Sequence, residues 1–129
     1  MRDHTKLRAF VLADEVALLC YHITKDFPKE EIYGLTSQMR RAAVSVPSNI
    51  VEGCARESQA EYRNFLNIAF ASLRELHYQF SLAERLGYIQ SGNINSHESK
   101  IMETEKVLGA LLRSMRSNKY RPTVSQPTA

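Results

Sequence analysis

No stretch of this 129-residue chain stays uncharged for the ~18 residues that a membrane-spanning helix needs. The longest such run, Leu86 to His97, is polar and holds two glycines, so no membrane segment is expected. Cysteine is scarce. Cys20 and Cys54 form no CxxC pair and fall on predicted helices, which reads as two small buried or semi-buried thiols in a reducing compartment. The basic start and the apolar stretch after it are interrupted by Asp14 and Glu15, with no small-residue cleavage site beyond. A signal peptide is therefore not expected, and the cytoplasm is the expected location.

Catalytic signatures are also lacking. There is no HExxH, no Walker loop and no GxSxG, and neither cysteine has a local nucleophile pattern. Di-iron chemistry in a helical bundle needs inward-facing Glu-x-x-His pairs. None of His4, His22, His77 or His97 follows an acidic residue by three positions, so His22 and His77 read as interface or surface residues. The expectation is a protein that is not an enzyme and carries no metal or cofactor. Net charge is a mild +3, but unevenly spread. From Arg113 onward the chain holds Arg113, Arg116, Lys119 and Arg121 with no acid, while the body before them is near neutral.

What is present is helical periodicity. At this length the chain fits one domain with a sizeable core. Four helical segments emerge, and no strand alternation survives beyond a few residues. The first is predicted from about Thr5 to Asp26, with two apolar faces: Leu7, Phe10, Val11, Leu18 and Tyr21 on one, and Leu12, Val16, Leu19 and Ile23 on the other. A monomer's surface helix needs one such stripe, so two point to self-association, with Leu12 and Leu19 expected on the associating side. The second helix spans about Glu31 to Cys54. The third starts at a capping box, Ser58-x-x-Glu61, and runs to Leu86 with Gly87 as its stop; Tyr62, Phe65, Leu66, Ala69, Leu73, Leu76, Phe80 and Ala83 make its core face. A polar loop is expected from Gly87 to Ser96, then a fourth helix from about Ser96 to Ser117. The domain is expected to occupy residues 1–118, leaving 119–129 as a basic, flexible tail.

The second helix is unusual. Leu35, Met39, Ala42, Val46, Ile50 and Gly53 share one face, yet Pro47 interrupts the backbone, removing a donor and crowding the carbonyl of Ala43 at a cost of roughly 3 kcal/mol. The apolar period passes through Pro47 without changing phase, which places it within or at the start of a helix. Ser45 and Ser48 are placed to satisfy the freed backbone groups. Beside the apolar face runs a polar stripe of Gln38, Arg41, Ser45, Asn49 and Glu52. It reads either as a small-molecule or proton-handling site or as a satisfied network fixing register or subunit contact, with Glu52 offset by Arg41 or a basic residue of another helix. Arg40 points away from the stripe, toward an external partner.

The block Gly34 to Gly53, GLTSQMRRAAVSVPSNIVEG, resembles the four helix bundle protein family, whose founding members are encoded by intervening sequences in bacterial large-subunit ribosomal RNA genes. Phe27-Pro28-Lys29-Glu30-Glu31 with Tyr33-Gly34-Leu35 extends the likeness before it. Phe65-Leu66, Ile68-Ala69, Ser72-Leu73, Glu75-Leu76 and Leu86-Gly87-Tyr88 extend it after, so that it covers about Leu7 to Leu112. The chain departs at Ala71, where the family usually has glycine, at His77, where it usually has an acid, and over Phe10 to Val16. The resemblance implies an all-α, antiparallel up-and-down four-helix bundle, a ring-like homo-oligomer with a pentamer suggested, no known catalysis, and a link to RNA. A related branch assists reverse transcriptases of diversity-generating retroelements and is thought to bind nucleic acid.

Arg63, Arg74 and Arg85 recur every eleven residues, close to three helical turns, and line one edge of the third helix about 16 Å apart. Guanidinium groups so spaced can track a phosphate backbone; a solvated face with local acidic partners is the plain alternative. With Arg40, Arg113, Arg116, Lys119 and Arg121 they are the candidate contacts to RNA or DNA. The function expected is a non-enzymatic oligomeric bundle acting as an RNA-associated accessory or scaffold; the alternative is an adaptor oligomer for a protein partner with no nucleic-acid contact.

Overall fold

The computed structural model describes the backbone of residues 2–125 and the side chains of residues 2–90 and 96–115. Four α-helices carry it, with no strand among the described residues: α1 (Arg8–Thr24), α2 (Leu35–Cys54), α3 (Gln59–Arg85) and α4 (Ser91–Ser125). Side chains at 116–125, those of Arg116, Lys119 and Arg121 among them, and everything in 126–129 lie outside the described residues, although the α4 backbone continues past the expected end at Ser117 to Ser125. α1 packs on α2, α2 most extensively on α3, α3 on α4, and α4 returns to α1.

Local chemistry sets the helix ends. Asp3 accepts the Thr5 N–H at 3.0 Å and opens a single 3-10 turn, His4–Lys6, so the helix expected from Thr5 begins instead at Arg8. α1 closes where the Thr24 hydroxyl turns back to the Cys20 carbonyl at 2.8 Å, just ahead of Phe27-Pro28. A second 3-10 turn, Lys29–Glu31, precedes α2. Glu31 then accepts the Leu35 N–H at 2.9 Å and caps the helix proper, which is why α2 starts at Leu35 rather than at Glu31. Ser58 caps α3 by accepting the Glu61 N–H at 3.1 Å. Gly87 ends it with φ of +79°, bonding back to the Glu84 carbonyl while Tyr88 bonds to that of Ala83, each at 2.9 Å. That paired geometry needs a left-handed residue after the helix, which glycine adopts without strain. The expected loop to Ser96 is shorter than its polar sequence implied, because α4 begins at Ser91.

Every apolar position of the α2 stripe, Leu35, Met39, Ala42, Val46, Ile50 and Gly53, is buried. So is the α3 face except Phe65, which is half-buried. Pro47 lies buried inside α2. The Ser45 hydroxyl does not serve the backbone freed by Pro47; it meets the Ser72 hydroxyl of α3 at 2.8 Å. On α1 the two faces part company. Leu12, Val16 and Ile23 join the core with Leu19 half-buried beside them, whereas Leu18 stays 67% exposed and Val11 and Tyr21 44% each. The side left exposed is therefore the one opposite to the side expected to associate.

Candidate functional site

The helix arrangement produces three polar surfaces. The first is the α3 edge. Arg63 is half-buried there, and Arg74 and Arg85 are exposed. Arg74 is bound to α4 through Glu105 at 3.1 Å. Arg85 donates to the Ser81 carbonyl at 3.2 Å and lies 5.9 Å from the centre of the Tyr78 ring. A guanidinium has five N–H donors, so these bonds orient the groups toward one edge and leave donors over. Arg113 is exposed on α4.

The second surface is an open groove of about 800 Å³ between α1 and α2, with Tyr21, Ile32, Thr36, Arg40, Val44 and Ser48 on its walls. Arg40 is not turned outward alone. It donates from Nε to the Thr24 hydroxyl at 2.9 Å, lies 4.7 Å from the centre of the Tyr21 ring, and shares the groove with Arg41, Ser45 and Asn49. The polar stripe of α2 thus divides. Asn49 donates to the Ser45 carbonyl at 2.8 Å and its hydroxyl at 3.0 Å, Arg41 donates to Ser37 at 3.4 Å, and Gln38 shares with Ser72 and Glu75 a smaller cleft of about 350 Å³. Glu52 pairs with Arg56, one turn on in the chain, at 2.8 Å and not with Arg41. Most of these bonds join residues one turn apart within α2, and only the Ser45–Ser72 pair crosses to α3.

The third surface is one the sequence did not lead us to expect. Between α3 and α4, His77 bridges Glu105 (Nδ1, 2.8 Å) and Glu98 (Nε2, 3.0 Å), and further along the same seam the fully buried His97 faces Glu84 through Nε2 at 3.1 Å. Burial alone would lower the His77 pKa, but hydrogen bonds to Glu105 and Glu98 outweigh it and raise it above the ordinary value. Both ring nitrogens facing carboxylates require the doubly protonated ring. A Glu-x-x-His pattern lies within one helix, whereas this cluster takes its members from two. Its trace in the sequence is a matched seven-residue spacing, His77 to Glu84 and Glu98 to Glu105, which places each pair on one side of its helix.

Fold and surfaces together define a small all-α protein whose described helices include none long and apolar enough to cross a membrane. The family model described as 23S rRNA-intervening sequence protein matches residues 5–110, and the chain belongs to that family. Its structure is similar to the crystal structure of a protein of unknown function from the S23 ribosomal protein family of Bacteroides thetaiotaomicron, with a TM-score of 0.74 at 24% identity over 81% of this chain and 95% of the other. At that identity the likeness speaks for the fold. No curated protein matches the chain.

Proposed function

We propose that this protein is a non-enzymatic, cytoplasmic homo-oligomer of antiparallel up-and-down bundles that associates with RNA as an accessory or scaffold. The observation that carries the reading is the second apolar face of α1. Val11, Leu18 and Tyr21 are exposed at spacings of seven and three, and Ile32 and Val44 of α2's side join Tyr21 along the groove. A patch of this kind, with aromatic and aliphatic groups rimmed by Arg40, Ser48 and Asn49, has the make-up of a protein–protein interface. Antiparallel packing is supported by where neighbours meet. Arg2, just ahead of α1, bonds to Cys54 at the end of α2, Thr24 at the end of α1 meets Arg40 in the first half of α2, and Glu84 meets His97 while Arg74 meets Glu105 across α3 and α4.

Assembly would repeat the Arg63, Arg74 and Arg85 edge around a ring, so that weak phosphate contacts add by multivalency. The decisive experiment on assembly is light scattering after size exclusion at micromolar concentration. The chain should run at a multiple of 14.7 kDa, with a pentamer the expected closed form, and Val11→Asp with Leu18→Asp should run as a folded monomer. A monomeric wild type would refute the reading of α1.

A further inference from the structure

We propose that Glu84, His97 and Glu98 form a binding site for one divalent transition-metal ion of the zinc type, which clasps the end of α3 to the start of α4. One ligand atom from each of the three residues lies within 4.8 Å of the others. Tetrahedral zinc with nitrogen and oxygen ligands at about 2.0–2.1 Å separates those ligands by roughly 3.4 Å. The His97 Nε2 and Glu84 Oε1 pair, at 3.1 Å, already has nearly that spacing. The Glu98 carboxylate needs to close by on the order of 1 Å, which the torsions of its 42% exposed side chain supply.

The imidazole is held in place for this role. His97 is fully buried and stacks on Phe80 with ring centres 4.5 Å apart and planes 20° from parallel, so its Nε2 is aimed at Glu84 and does not swing. With the proton on Nδ1, that nitrogen presents a lone pair. Ligating carboxylates in metal sites are themselves hydrogen-bonded, and Glu98 has such a partner in His77, which Glu105 holds from its other side. Two carboxylates brought within 4.8 Å of each other also repel, and a divalent cation between them removes that cost. One imidazole with two carboxylates suits zinc among the commoner ions, and three protein ligands leave a fourth position to water on the Glu98 side. The two cysteines, buried on α1 and α2, lie on other helices from all three ligands.

The test uses the full untagged chain, stripped with chelator, and titrates zinc chloride against a chromogenic zinc indicator. Wild type should bind one equivalent per chain, and the thermal midpoint should rise with zinc. Glu98→Gln and Glu84→Gln should each weaken binding at least tenfold, whereas Glu61→Gln, a change of the same charge at the far end of α3, should not. Because His97 is buried, His97→Gln can unfold the chain, so the two glutamate variants decide the matter after circular dichroism shows them folded. Absence of saturable zinc binding by wild type overturns the proposal. So does binding that survives both Glu84→Gln and Glu98→Gln, or that falls equally with Glu61→Gln.

Discussion

The α2–α3 contact makes its sharpest prediction at Gly53. A Cβ built there lies 2.9 Å from Phe65 Cβ, 3.3 Å from Tyr62 Cδ1 and 3.3 Å from the Tyr62 carbonyl oxygen. Carbon atoms prefer about 3.5–4.0 Å, and the nearest obstacle is a Cβ fixed to the α3 backbone, so Gly53→Ala must push the helices apart. Overpacking of this kind costs about 1–3 kcal/mol, against a gain of at most ~1 kcal/mol in helix propensity, smaller still at the penultimate residue of a helix. The net effect should be a destabilisation of about 1–2 kcal/mol. Gly109→Ala supplies the control on α4. Its Cβ would meet Arg113 Nη1 at 3.4 Å, the far end of an exposed flexible side chain, and Phe70 Cε1 at 3.6 Å, an ordinary contact. That variant should be more stable by about 0.5–1 kcal/mol. Thermal and urea unfolding at one fixed protein concentration should therefore place the two variants on opposite sides of wild type, some ~8 °C apart at roughly 4 °C per kcal/mol. A Gly53→Ala protein as stable as wild type would refute the close-packing argument.

Other outcomes follow from single contacts. The Leu35 N–H and the Tyr88 hydroxyl hold the Glu31 carboxyl below its usual range, so this contribution is present above the ordinary carboxylate value and disappears as pH falls through the lowered one. Glu31→Gln should thus be less stable than wild type at pH 7, with the gap closing toward pH 3 in urea titrations; a gap that does not change with pH contradicts the cap. Burial pushes the Cys20 thiol up to about 12 and raises that of Cys54, so neither should react with a disulfide reagent at pH 8 until denaturant is added. Rapid labelling of the native chain would show those helices to open.

How much was legible depends on what each feature requires. The stripes of α2 and α3 were readable because helical period alone places Met39, Val46 and Ile50, or Leu66, Leu73 and Phe80, on one side. Ser58 and Gly87 mark the ends of α3 through bonds to residues three or four positions away, so the local sequence contains them. α1 shows the limit. Both of its faces are apolar, so period predicts two buried sides but not which one the core takes; packing against α2 and α4 selects Leu12 and Val16 over Leu18 and Val11. The partners of Arg74, Arg40, Ser45 and His77 depend on which helices are neighbours, information no single-helix pattern holds. For the same reason no periodicity within one helix brings Glu84 together with His97 and Glu98.

The association with RNA is tested most directly by salt-dependent fluorescence anisotropy of a labelled RNA hairpin, between about 50 and 300 mM salt. Phosphate contacts release counterions, so the wild-type affinity should fall steeply and linearly on logarithmic axes, with little dependence on hairpin sequence. Arg63→Gln, Arg74→Gln and Arg85→Gln together should weaken binding and make the slope shallower by about one for each phosphate left unneutralised, with the oligomer intact. No binding at the lowest salt, or binding and slope unchanged in both the triple variant and a chain ending at Asn118, would contradict the RNA-associated account and leave the adaptor oligomer in its place.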